Sequence, residues 1–187
     1  MSDAPPPHSL HYTRPAVAFH WLLALMIVIS FGVGLYMADL KFSPLQLKLY
    51  NWHKWAGVTI LLLSALRLGW RLMHSPPRDL RAPAWQLRAS HLTHGAMYLL
   101  FFVVPLVGWA YSSAAGFSIV WFGVLPLPDF VPRDKALAEA IKPWHGWLAW
   151  TLASLVVLHV AAALKHHFLD RDGLLRRMWP ARQRKFA

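Results

Sequence analysis

Histidine sets the chemistry open to this chain. Its 187 residues include 11 histidines and no cysteine, which excludes disulfides, thiolate-bound zinc, iron–sulfur clusters and covalent C-x-x-C-H haem attachment. Eight histidines (His20, His53, His91, His94, His145, His159, His166 and His167) fall in or beside long apolar stretches. An ionisable group in such a setting marks either a functional site with a partner to be found or a hydrogen bond to a neighbouring helix. One pair is more informative than any single residue. His145 and His159 are 14 residues apart, which on a helix is about 1,400° of rotation, within roughly 40° of four turns, and about 21 Å of rise. They share a face at two depths, so each can serve a separate cofactor.

The elements that must position them are membrane helices. The chain is 57% apolar and only 14% charged, with a mean hydropathy of +0.37, more apolar than a soluble domain. Four stretches supply the roughly 20 apolar residues that a span requires: about 16–38, 50–72, 90–111 and 144–168, none containing Asp or Glu. Tryptophans near their ends suit an interfacial belt. The expected fold is therefore all-α, an integral membrane four-helix bundle forming a single domain over 1–187. The segment 117–127 is apolar but too short to cross, and predicts a cap on the outer interface. The segment 133–142, after Pro132, predicts a short amphipathic helix leading into the fourth span. The first fifteen and last eight residues are expected to be loosely ordered, and no removable signal peptide is expected.

Lys and Arg outnumber Asp and Glu by 19 to 8. Nucleic-acid binding is set aside, because the basic residues lie between apolar runs and form no basic domain. Thirteen of the 19 fall on one side: Arg14, Arg67, Arg71, Arg78, Arg81, Arg88, Lys165, Arg171, Arg176, Arg177, Arg182, Arg184 and Lys185. By the positive-inside rule both termini are cytoplasmic, with basic loops on anionic headgroups.

Consecutive helices alternate in direction, which places His53 level with His145 and His20 near the depth of His159. Two stacked pairs result, an arrangement suited to axial ligation of two b haems, which are held by ligands and packing alone. Room beside each ligand is supplied by a small residue one turn on: Ala24, Gly57, Ala149 and Ala163. His91, followed by Gly95, passes the same test and rivals His20. Zinc is disfavoured, since its sites converge three or four ligands on one point. Arg67 and Arg71 could neutralise propionates at the inner site, and Lys54 or Lys142 at the outer; the arginines could equally snorkel to the interface.

The segments AFHW around His20, NWHKWAG around His53, HLTHGAMYLLFFVVPLVGW in the third span, KPWHGWLAW around His145 and LHVAAALKHHF around His159 resemble the bacterial cytochrome b561 family. The resemblance runs from about residue 10 to 180, and is greatest to a small four-helix, di-haem branch that oxidises superoxide. It implies His20 and His159 on one haem iron and His53 and His145 on the other, choosing His20 over His91. It also implies a ubiquinone site near the inner haem with His166 as its candidate residue, and His91, His94 and His167 as weaker ones. The activity implied is a superoxide:ubiquinone oxidoreductase, working alone or as a homodimer, with Lys54, Lys135 and Lys142 drawing the anion to the outer face. Related cytochromes also serve as electron carriers between quinone and a periplasmic dehydrogenase or hydrogenase. A histidine-lined transporter for protons or metal ions is the reading from another class, and an absorption spectrum separates it from both.

Overall fold

The computed structural model describes residues 11–79 and 82–179. The 5–7 proline run, Arg81, Arg182, Arg184 and Lys185 lie outside the described residues. Four long helices dominate: α1 (Arg14–Asp39), α2 (Pro44–Met73), α3 (Ala84–Ala114) and α4 (Lys135–Lys165). All four are long and apolar enough to cross a membrane.

Each helix overruns its apolar stretch, because capping residues rather than hydropathy fix the ends. Pro15, in the first turn of α1, has the φ that a helix start needs and forgoes an N–H that would be unpaired there. The chain is thus helical from Arg14, inside the stretch expected to be loosely ordered. Ser43 caps α2, its hydroxyl accepting from the Gln46 amide at 3.2 Å. The Gln46 side chain then donates back to the carbonyls of Met37 (3.1 Å) and Leu40 (2.7 Å), tying the end of α1 to the start of α2. Asp134 caps α4, accepting from the Leu137 amide at 3.1 Å.

The helix expected over 133–142 is present from Lys135 and forms the first turns of α4, which runs unbroken through Pro143. A proline removes one intrahelical hydrogen bond, and near the water-facing end of a span the freed carbonyl is easily satisfied. Pro105 is similarly accommodated inside α3.

Close backbone packing joins α1 to α2, α2 to α3, and α3 to α4. The buried apolar core is small, centred on Met97, Leu100 and Phe101 of α3 and Leu152 of α4. Large side chains such as Leu25, Val28, Leu66, Leu99 and Val157 face outward, as expected where lipid is the solvent.

Between α3 and α4 the chain forms a two-stranded antiparallel hairpin, β1 (Val120–Trp121) with β2 (Leu125–Pro126). Its turn contains Gly123 at φ +74°, a conformation that glycine adopts without strain. Indole hydrogen bonds fasten the hairpin to α2: Trp55 Nε1 donates to the Val120 carbonyl at 2.6 Å, and Trp121 Nε1 to Thr59 Oγ1 at 3.2 Å. At the opposite, basic end, α4 passes into a π-helical turn (His166–Asp170) and then a 3-10 turn (Leu175–Met178). This C-terminal segment folds back across the bundle: Trp21 Nε1 donates to the Met178 carbonyl at 2.7 Å, and Arg177 to the Arg78 carbonyl at 2.8 Å.

Candidate functional site

The bundle brings four of the histidines into two pairs, one toward each end. At the hairpin end, His53 of α2 and His145 of α4 stand with ring centroids 6.0 Å apart and planes at 89°. At the basic end, His20 of α1 and His159 of α4 are 6.2 Å apart, at 70°. Imidazole nitrogens lie about 2 Å from a first-row metal, so two imidazoles trans to one ion have centroids about 6 Å apart. Both pairs stand at that spacing. The helices that share the pairs, α1 with α4 and α2 with α4, are not among the closely packed neighbours, so the imidazoles meet across a gap between helices.

The hairpin-end pair is held by its second nitrogens. His53 Nδ1–H donates to the Ser30 carbonyl of α1 at 3.1 Å, and His145 Nδ1–H to the Val104 carbonyl of α3 at 3.1 Å. A carbonyl can only accept, so each Nδ1 has the proton and each Nε2 keeps a lone pair for a metal. The two seats are built alike. In each, the accepting carbonyl lies four residues before a glycine, Gly34 after Ser30 and Gly108 after Val104. A Cβ on Gly34 would lie 3.1 Å from His53 Cε1, and one on Gly108 only 2.8 Å from His145 Cε1. The absent side chains let each ring lie against the facing helix and reach its backbone.

These glycines escape the sequence criterion, which tests the ligand's own helix. Gly57, one turn after His53, would place a Cβ no nearer than 3.9 Å to Pro105, and a Cβ on Gly95 meets nothing within 4 Å. The informative signal is a mid-span glycine on the opposing helix.

The basic-end pair has different surroundings. The Arg67 guanidinium donates to His20 Nδ1 at 3.3 Å. Arg67 and Arg71 both lie over the Tyr98 ring, 5.3 and 5.6 Å from its centroid, and among the described residues neither forms an ion pair with a carboxylate. His94 joins this group, its ring 5.2 Å from that of His159. His91 does not: it pairs with Asp79 at 3.1 Å on the surface. Arg67, Arg71 and Tyr98 line an open pocket together with Trp70, His74 and Met178.

The remaining candidates are dispersed. Lys54 Nζ donates to the Phe117 carbonyl at 3.3 Å and so braces the hairpin segment. Lys142 and Lys135 are exposed near the start of α4. His167 packs edge-on against Phe168. His166 Nδ1 lies 2.5 Å from an Asp172 carboxylate oxygen and 3.2 Å from Asp170, which also pairs with Lys165 at 2.6 Å. Partial burial alone would raise the Asp172 carboxyl; hydrogen bonds from the Leu174 amide and His166, with the charge of His166, outweigh it and hold the group below its ordinary value of 3.8.

Paired histidines, proton-bearing on Nδ1 where a carbonyl faces them and set between membrane-spanning helices, suit b-type haem, with the arginines at the basic end available to an anionic group. Fold and site together define a membrane haem b electron-transfer protein. The chain belongs to the prokaryotic cytochrome b561 family, whose model matches residues 11–181. It is 35% identical to cytochrome b561 homolog 2 of Escherichia coli (strain K12) over 165 residues, covering 87% of this chain and 88% of that protein. Cytochrome b561 homolog 1 of the same organism is 30% identical over 176 residues, 92% and 98% of the two chains. A probable superoxide oxidase CybB from Yersinia pestis is 29% identical over 178 residues, 92% and 97% of the two chains.

Proposed function

We propose that this chain oxidises superoxide at the outer face of a bacterial inner membrane and delivers the electrons to ubiquinone at the inner face. His53 and His145 would hold one b haem near the outer face, the hairpin end. His20 and His159 would hold the second near the cytoplasm, the basic end. The bound haems would supply one-electron carriers spanning the bilayer. The observation that carries the proposal is the presence of two histidine pairs, both at bis-ligation spacing, at opposite ends of one bundle.

The chain's own residues have four tasks. Ser30 and Val104 fix the tautomer and plane of the hairpin-end imidazoles. Arg67 and Arg71 offer cationic partners to propionates at the basic end. Lys54, Lys135 and Lys142 give the hairpin end positive charge to draw an anion that crosses lipid poorly. His166, hydrogen-bonded to Asp172 at the basic end, would pass protons to a quinone bound there. Two superoxide ions lose one electron each and leave as two dioxygen molecules; one ubiquinone gains both electrons and two protons. The similarity to a probable superoxide oxidase supports superoxide as donor.

The test uses the purified, haem-loaded chain. A Soret band with two b haems per chain is expected, and so is haem reduction by superoxide that is passed on to a water-soluble quinone. A colourless chain would overturn the haem reading and leave a histidine-lined transporter. Two haems that ignore superoxide and are reduced by a copurifying subunit would overturn the enzyme and leave a partner-dependent carrier.

A further inference from the structure

The two histidine pairs are matched in spacing but opposite in what surrounds them. At the hairpin end both Nδ1–H groups donate to backbone carbonyls at 3.1 Å, and both rings sit in glycine seats that hold them there. A donor bond from the far nitrogen pushes electron density toward the metal-binding one and makes the imidazole a more basic ligand. A more basic axial ligand favours the ferric over the ferrous state.

At the basic end neither histidine has such an acceptor among the described residues. His159 makes ring contacts with His20 and His94 but no hydrogen bond among the described residues. The group facing His20 Nδ1 is the Arg67 guanidinium, which can only donate. Arg71 lies one turn away against the same Tyr98 ring, and among the described residues no side-chain carboxylate pairs with either. Fixed positive charge in a poorly solvated region favours the state holding one more electron. A His20 that binds iron through Nε2 carries its proton on Nδ1 and cannot accept from Arg67, so with haem bound the guanidinium would turn to a propionate of the same haem and act through its positive charge near the iron.

We propose that these residues build a redox gradient into the bundle: Arg67, supported by Arg71, strengthens electron affinity at the His20–His159 site. The Ser30 and Val104 carbonyls weaken it at the His53–His145 site, so electrons run from the hairpin end to the basic end. With both haems bound, the transfer would move one electron from a reduced iron to an oxidised one, with no bond made or broken and no proton released. Arg67 is a tuning residue in this scheme, acting on the iron through its charge. The inference rests on the two-haem reading and gives it a direction, which an inward-delivering oxidase needs and a carrier moving electrons from quinone outward would oppose.

Equilibrium redox titration of the purified holoprotein, followed in the haem α band, tests it. Two components are expected. The double variant His53→Ala, His145→Ala keeps only the basic-end haem, which should titrate with the upper component. Arg67→Gln should lower the upper component by a roughly tenfold loss in electron affinity, about 59 mV for one electron, and leave the lower component in place. Arg67→Lys, which keeps the charge, should restore most of it; a purely structural role would not be rescued this way. Arg71→Gln should give a smaller fall and serves if the Arg67 variants fail to fold. A basic-end haem that titrates with the lower component, or an arginine variant that shifts only that component, would overturn the gradient while leaving two haems intact. A preparation binding one haem or none would overturn the two-haem reading itself.

Discussion

An imidazole that binds a metal through one nitrogen has to dispose of the proton on the other, and for His53 and His145 as proposed ligands the facing backbone would do so. Ser30 and Val104 accept from His53 and His145, an arrangement that depends on glycine one turn further along each accepting helix. Helical carbonyls are already bonded within their helix, so an imidazole reaches one only by lying close to the helix surface, where a Cβ would stand. Gly108→Ala places a methyl 2.8 Å from the His145 ring, and Gly34→Ala places one 3.1 Å from His53. Haem-to-protein ratios should therefore fall toward one per chain in Gly108→Ala and fall less in Gly34→Ala. Gly32→Ala, whose added Cβ meets nothing within 4 Å, should keep full occupancy. Equal loss in all three would mean that glycine matters for helix bending and not as a seat. His145→Ala should remove the hairpin-end haem and spare the basic-end one, because no atom of the second pair depends on it; the pyridine haemochrome assay counts what remains.

Among the elements, the helices were legible in the sequence and their junctions were not. Long apolar runs free of Asp and Glu require spanning helices whatever their neighbours, and alternation of direction then follows. The start of α4 at Lys135 is fixed by the Asp134 cap, which hydropathy does not register. Likewise, the spacing rule that matched His91 to His20 counts residues along one helix, whereas His94 and not His91 turns toward His159 because of how α3 is rotated against α4. Facing-helix contacts such as Gly108 on His145 are tertiary, and a single-helix pattern has no access to them. The C-terminal segment is the least legible element. It is held by short polar contacts: His166 to Asp172, Leu174 N–H to Asp172 at 2.9 Å, and Trp21 to Met178. The Asp172 carboxyl lies below its ordinary value in the folded chain. A depressed acid contributes stability above its unfolded value of 3.8, and that contribution is lost as pH falls through the lower folded value. Hydrogen exchange over 171–179 should therefore be flat near neutrality and rise below about pH 4 relative to the α4 amides. Asp172→Asn should raise it near neutrality to about the level the natural chain reaches in acid, and remove the acid step. An acid step of unchanged size in Asp172→Asn would assign it to another carboxylate, Asp170 first.

For the whole molecule the decisive property is direction. The bundle is asymmetric along its length: a tethered hairpin with three nearby lysines at one end, and at the other a cluster of arginines, a folded-back C-terminal segment and the His166–Asp172 pair. If the hairpin end faces outward, superoxide meets it from the periplasmic side while protons reach the quinone from the cytoplasm, and each turnover moves negative charge inward. Reconstitution in sealed vesicles separates this from reaction at either face. Superoxide generated on the side exposing the hairpin should reduce the haems rapidly, and the same flux on the basic side should not. Attraction of a small anion by exposed lysines is screened within about 8 Å at physiological ionic strength, so the rate should fall as salt is raised. Lys54→Gln with Lys142→Gln should flatten that salt dependence while leaving reduction by dithionite unchanged. Equal rates from the two sides would remove the assigned orientation. A salt-independent rate would remove the lysines from substrate capture, leaving superoxide to reach the hairpin-end haem edge by diffusion alone.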